Sequence, residues 1–231
     1  MLPHHAYAVT SRPWYLLTLA LVGAAVLFAI DLASNGFTTA LTKETGALEI
    51  STALLYAYTA MVWLWTRTGD IWRRDWQVAA IMLLMMGREL DLDKRLTSVG
   101  MLKSNLYLTN MAQPVERVFG VLVILFVATV AFRLIVRNGP ELLSGVRYRA
   151  SWAWNIIAAI GLAIVSKSID GLDRKLAPFG VIVSDHTNLL LGIVEEVLEF
   201  GIPVMFLVAT ISSIDLSAAA RGRKPAAASA L

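Results

Sequence analysis

Residues 189–211, LLLGIVEEVLEFGIPVMFLVATI, are long and apolar enough to cross a membrane, yet they carry Glu195, Glu196 and Glu199. On a helix, Glu195 and Glu199 stand four residues apart and Glu196 and Glu199 three, so the carboxylates share a face. Carboxylates gathered in a low-dielectric medium bind a hard divalent cation through oxygen, or they exchange protons as general acids and bases. Glu195, Glu196 and Glu199, joined by Glu89 and Asp91, are the candidate catalytic groups. Glu49, Glu196, Glu199 and Asp170 are the candidate metal ligands.

Other ionisable residues belong to the same depth. The run WQVAAIMLLMMG (76–87) is only about 18 Å long at helical rise, short of a hydrocarbon core of roughly 30 Å. Its helix must therefore carry Arg88, Glu89 and Asp91 into the membrane's outer part. The run 152–166 is about 22 Å long by the same rise, which places Lys167 and Asp170 at depth. Glu49, Thr52, Tyr56 and Thr59 draw a polar stripe along a further helix. Arg88 and Lys167 are the only cations facing Glu49, Glu89, Asp91, Asp170, Glu195, Glu196 and Glu199. Such a surplus of buried negative charge must be relieved by protons, a bound cation or water. Lys94, Arg95, Lys103, Arg174 and Lys175 follow in the adjoining loops; with Arg88 and Lys167 they form the candidate set for a phosphate-bearing headgroup.

The elements that must position these groups are membrane helices. The 231 residues are 57% hydrophobic and 16% charged, too few charges for the exterior of a soluble domain. The fold class expected is all-α, a polytopic bundle of about six transmembrane helices over 14–32, 48–66, 74–90, 117–136, 151–168 and 188–211. One transmembrane domain covers 1–220, and 221–231 is expected to be a basic, disordered cytoplasmic tail. With no cysteine there are no disulfides or thiolate metal sites, and three histidines, two of them His4 and His5, cannot build a multi-histidine zinc centre.

Six spans place both termini and the connections near 67–73 and 137–150 on one side. That side carries eleven cations and four acids, against nine cations and thirteen acids on the other. The positive-inside rule makes the first side cytoplasmic, in a bacterial-type inner membrane.

Residues 92–104, LDKRLTSVGMLKS, and 172–184, LDRKLAPFGVIVS, match at a fixed offset of 80. Leu92, Asp93, Leu96, Gly100 and Ser104 pair with Leu172, Asp173, Leu176, Gly180 and Ser184, and the same offset pairs Trp72 with Trp152 and Glu116 with Glu196. A tandem helix–loop–helix repeat, helices 3–4 and 5–6, is the expectation, with both units running in the same direction.

No phosphate-binding glycine loop, HExxH or GxSxG motif is present. EEVLE resembles the paired-glutamate motif of membrane CAAX-type proteases, but Glu199 stands where that family has arginine. Three readings follow. The first is a pocket open to the periplasmic side, binding a cation or a polar lipid headgroup and able to serve as an enzyme site. The second is a cation- or proton-coupled transporter, and the third a non-enzymatic accessory subunit. A divalent cation is the cofactor to consider. The expected partners are the lipid bilayer and a lipid or small polar ligand, within a homo-oligomer or larger membrane complex; nucleic acid is not expected.

Overall fold

The computed structural model describes residues 14–35, 46–66, 74–98, 100–101, 103–108 and 113–222. His4 and His5, the connection 67–73 with Trp72, and the tail from 223 onward lie outside the described residues. The chain is helical: α1 Trp14–Asn35, α2 Ala47–Thr66, α3 Trp76–Glu89, α4 Leu92–Leu96, α5 Asn105–Leu108, α6 Pro114–Arg147, α7 Ser151–Ile169, α8 Leu172–Leu176 and α9 Asp185–Gly222. Among the described residues, α1, α2, α6, α7 and α9 are long and apolar enough to cross a membrane, so the chain is a helical membrane bundle.

The expected third span differs. α3 has 14 residues and is about 21 Å long. It stops where Arg88 and Glu89 leave the apolar run and the chain turns at Leu90–Asp91. Two boundaries also move. The connection expected at 137–150 is helical to Arg147, because α6 continues through a π-helical turn, Leu134–Asn138, before Gly145 lets Trp152 and Ala153 of α7 fold back against it. The last helix, expected over 188–211, runs on to Gly222 with Pro203 inside it. Pro203 has no amide to offer the carbonyl of Glu199, four residues earlier, so the helix ladder loses a bond beside the carboxylate cluster.

The helices lie side by side in the order α6, α3, α2, α9, α7, with α1 against α2 and α9. Two apolar layers hold them. Tyr56, Ala60, Ala79, Met82, Ala159 and Ile202 join α2, α3, α7 and α9. Leu16, Leu55, Val62, Leu207, Ile211 and Ile214 join α1, α2 and α9. α1 and α6 present apolar side chains outward along most of their length, as lipid-facing helices do.

The two loops of the offset share backbone geometry. α3 ends at Glu89 and α7 at Ile169, α4 covers 92–96 and α8 covers 172–176, and α5 begins at 105 and α9 at 185. Asp91 and Gly171 are left-handed with φ of 49° and 57°, and Gly100 and Gly180 have φ of 92° and 74°. The amide of Arg95 donates to the carbonyl of Asp91, and that of Lys175 to the carbonyl of Gly171. The parallel is incomplete: Thr97 is extended where Ala177 opens a 3-10 turn to Phe179, and α5 stops at Leu108 where α9 continues.

Candidate functional site

α3 and α7 bring their C-terminal ends, and α2 and α9 their N-terminal ends, to one end of the bundle. Glu199 is the hub there. Its Oε1 accepts from Arg88 Nη2 at 2.9 Å and from the buried Ser166 Oγ at 3.1 Å, and it pairs with Lys167 Nζ at 3.1 Å. Lys167 also reaches Asp170 at 3.1 Å and Glu195 at 3.5 Å. Arg88 Nη1 lies 3.5 Å from Glu89 Oε1. One carboxylate oxygen thus ties α3, α7 and α9 together.

The three acids of α9 divide their labour. Glu195 and Glu199, four apart, both reach Lys167 on α7. Glu196 lies within electrostatic reach of Glu199, Glu49 and Glu89. It is half-buried and makes no hydrogen bond or ion pair among the described residues. Glu89 is buried, its side chain only 6% exposed, with Arg88 as its ion-pair partner. The cluster sets Arg88 and Lys167 against Glu89, Asp170, Glu195, Glu196 and Glu199, with Glu49 close by.

The stripe on α2 faces inward. Thr52 and Thr59 are buried and donate to their own helix, at Leu48 O and Leu55 O. Tyr56 is fully buried, and its hydroxyl has no hydrogen-bond partner among the described residues.

Other sequence candidates sit apart from the hub. Asp91 pairs with Lys94 at 2.8 Å at the start of α4. Lys175 caps α7, donating to Lys167 O at 2.8 Å, where a cation also meets the negative end of the helix dipole. Arg95, Lys103 and Arg174 are exposed and enter no ion pair among the described residues. Asp170, at the end of α7, is held below the ordinary carboxylate range because Lys167 donates a hydrogen bond to it. Among the described residues no three His, Asp or Glu side chains converge closely enough to hold a metal ion, so Glu49, Glu196, Glu199 and Asp170 are not gathered as a ligand set.

Two features escaped sequence reasoning. Ser166 is one, although its place on the inward face with Ala159, one residue before Lys167, was the available signal. The other is a second polar network at the opposite end of α3. Fully buried Gln77 donates to Asn138 Oδ1 at 3.0 Å and accepts from Arg133 Nε at 3.4 Å, and Arg133 lies 5.4 Å from the Trp76 ring centre. Asn138 ends the π-helical turn, a distortion no residue pattern announced. A cavity of about 240 Å³ lined by Arg117, Val118, Val121 and Leu122 on α6 shares no residue with the carboxylate cluster.

Comparison with protein-family models, curated proteins and solved structures finds no match to this chain.

Proposed function

We propose that this chain is a multi-pass protein of a bacterial-type inner membrane, both termini cytoplasmic, whose acidic cluster is the floor of a periplasm-facing pocket for a polar lipid headgroup. The observation that carries the proposal is the unequal pairing of the carboxylates. Glu199 takes up both resident cations, while half-buried Glu196 has no partner among the described residues. A carboxylate kept at membrane depth without a partner costs several kcal/mol unless something else compensates it. In the adjoining loops Arg95, Lys103 and Arg174 stand exposed with no acid in ion-pair range among the described residues, and such cations are suited to phosphate.

Transport is the second reading, and the apolar layer bears on it. Tyr56, Ala60, Ala79, Met82, Ala159 and Ile202 lie between the carboxylate cluster and the Gln77 network. Among the described residues the buried Thr59 hydroxyl beside this layer is spent on its own helix at Leu55 O, which favours binding over conduction.

The test is lipid retention. Protein purified from membranes is delipidated stepwise and its remaining lipids are identified by native mass spectrometry. Wild type should hold one lipid class out of proportion to the bulk membrane, and Glu196→Gln and the double change Arg95→Ala with Arg174→Ala should each release it. Retention of the same lipids in the same proportions by both variants would show that the cluster is not a headgroup site.

A further inference from the structure

α6 is longer than a membrane is thick. Its 34 residues span about 51 Å at helical rise, against a hydrocarbon core of roughly 30 Å. Pro114–Arg133 alone covers about 30 Å, so the π-helical turn Leu134–Asn138 and the segment Gly139–Arg147 lie at or beyond the core boundary. Two contacts say how that segment runs. Asn138 is bonded to Gln77 on α3 at 3.0 Å, and seven residues later Gly145 lies against Trp152 and Ala153 on α7. The segment therefore crosses from one helix to another at the Gln77 end of the bundle, and does not project straight out from it.

Its outer surface mixes bare apolar side chains with free cations. Leu143 and Tyr148 are 73% and 80% exposed, and Ile135 and Val136 stand exposed in the turn before them. Leu143 and Arg147, four residues apart, share the face opposite Gly145. Upstream cations are engaged: Arg133 bonds Gln77, and Arg137 pairs with Asp75 at 3.6 Å. Arg147 and Arg149 are exposed and enter no ion pair among the described residues. The acid of the segment, Glu141, stands six residues before Arg147. Arg149 has a φ of 55°, a left-handed position just past the helix end where glycine is the usual occupant.

We propose that residues 139–149 lie in the plane of the leaflet at this end of the bundle and hold an anionic phospholipid, with Arg147 and Arg149 on its phosphate and Leu143 and Tyr148 at the headgroup–acyl boundary. The site is separate from the carboxylate cluster at the other end, and neither proposal needs the other. Interfacial amphipathic helices combine these two kinds of side chain, and a guanidinium offers phosphate paired N–H donors. Other surroundings fit less well. Water would leave Leu143 and Tyr148 uncompensated. A second copy of the chain, related by a twofold axis, would set the same arginines against each other. An anionic leaflet satisfies both kinds of group.

The chain has no cysteine, so one introduced thiol gives a unique label. Exposed Ser144, beside Leu143, is changed by the nearly isosteric Ser144→Cys and carries a bimane fluorophore. The full-length protein is placed in nanodiscs of equal phosphatidylcholine and phosphatidylglycerol, with a nitroxide near the head of the acyl chain of one lipid or the other. Nitroxide on phosphatidylglycerol should quench roughly fivefold more strongly than nitroxide on phosphatidylcholine, the partition that one arginine at an anionic surface gives. Arg147→Gln with Arg149→Gly should bring the two to equality, and Glu196→Gln should leave the ratio unchanged. Arg149→Gly alone should narrow the ratio. It also frees a left-handed position, so its thermal stability should match or exceed that of the parent, and the narrowed ratio then reports lost charge and not a damaged fold. Equal quenching by both lipids in the labelled parent overturns anionic recognition. Shielding of the label from both lipids, by water or by a second copy of the chain, overturns the in-plane placement and the proposal with it.

Discussion

Glu196→Gln and Glu199→Gln replace neighbouring carboxylates one turn apart and should have opposite effects on stability. Glu199 Oε1 holds Arg88 at 2.9 Å, Lys167 at 3.1 Å and Ser166 at 3.1 Å. A hydrogen bond to a charged group contributes about 1.5–3 kcal/mol when well shielded. The side chains of Arg88 and Lys167 are 42% and 47% exposed, so solvent screening moves each pair toward the roughly 0.2–1 kcal/mol of surface ion pairs. The amide oxygen of glutamine still accepts one bond. The net loss for Glu199→Gln is then about 2 kcal/mol, which lowers Tm by roughly 4–8 °C for a chain of this size. Glu196 makes no ion pair among the described residues, and the charges that bear on it most are the carboxylates Glu199, Glu49, Glu89 and Glu195, so removing its charge relieves repulsion. Its variant should unfold at or slightly above the wild-type temperature while losing ligand. The assay is thermal unfolding in detergent, followed by intrinsic tryptophan fluorescence, for both variants beside wild type. Equal destabilisation by the two changes, or an unchanged Tm for Glu199→Gln, would refute the division of roles between hub and acceptor.

Gly171→Ala should cost about 1–2 kcal/mol in thermal unfolding, because φ there is 57° and a Cβ would press on the Arg174 guanidinium. Gly161→Ala, on α7 with nothing near its added methyl, should be neutral or stabilising by up to about 1 kcal/mol in the same assay. Gln77→Leu should cost about 1–3 kcal/mol by removing the amide that bonds Asn138 and Arg133, and a double-mutant cycle with Asn138→Ala should show coupling, not additivity. Asp170→Asn should cost less than about 1 kcal/mol, since its pair with Lys167 is exposed. The Asp170 carboxyl is depressed in the folded state. Its contribution is therefore present above the unfolded carboxylate value near pH 4 and is lost as pH falls through the lower folded value, so the difference between Asp170→Asn and wild type should vanish under acid.

Much of the site was legible because charge inside an apolar run is costly and therefore informative. The shortness of the third apolar run foretold that Arg88 and Glu89 would sit at the helix end, where α3 in fact stops. Lys167 and Glu199 were both assigned to the same depth, and they meet at 3.1 Å. Helical periodicity fixes which residues share a face, but it does not say which neighbour each will meet. Spacing put Glu195, Glu196 and Glu199 together; packing of α9 between α7 and α2 gives Glu195 and Glu199 to Lys167 and leaves Glu196 toward Glu49 and Glu89. Lys175 and Asp91 were indistinguishable from pocket residues by type. One caps α7 and the other pairs with Lys94, local arrangements set by the turn geometry after each helix. The Gln77 network was invisible because amide side chains in a span are equally at home in water-facing and buried positions, and only the π-helical turn brings Asn138 to it.

The offset of 80 bears on why the cluster is lopsided. Helix ends, short helices and left-handed positions recur at that spacing, while the side chains at equivalent positions make different contacts. Glu116, the counterpart of Glu196, accepts a 2.7 Å hydrogen bond from Ser98, whereas Glu196 accepts none among the described residues. Asp91 occupies a left-handed position at some conformational cost where Gly171 does so freely, and it holds Lys94 there. The Tyr107 hydroxyl donates to Met101 O, and the side chains of Leu106 and Tyr107 lie against Gly120, while Phe179 and Ile182 in the other loop stand bare. Ser98 and Tyr107 make these bonds in the first loop, whereas in the second Ser184 and Thr187 bond to each other at 2.9 Å and the carboxylates of α9 meet Arg88 and Lys167 instead.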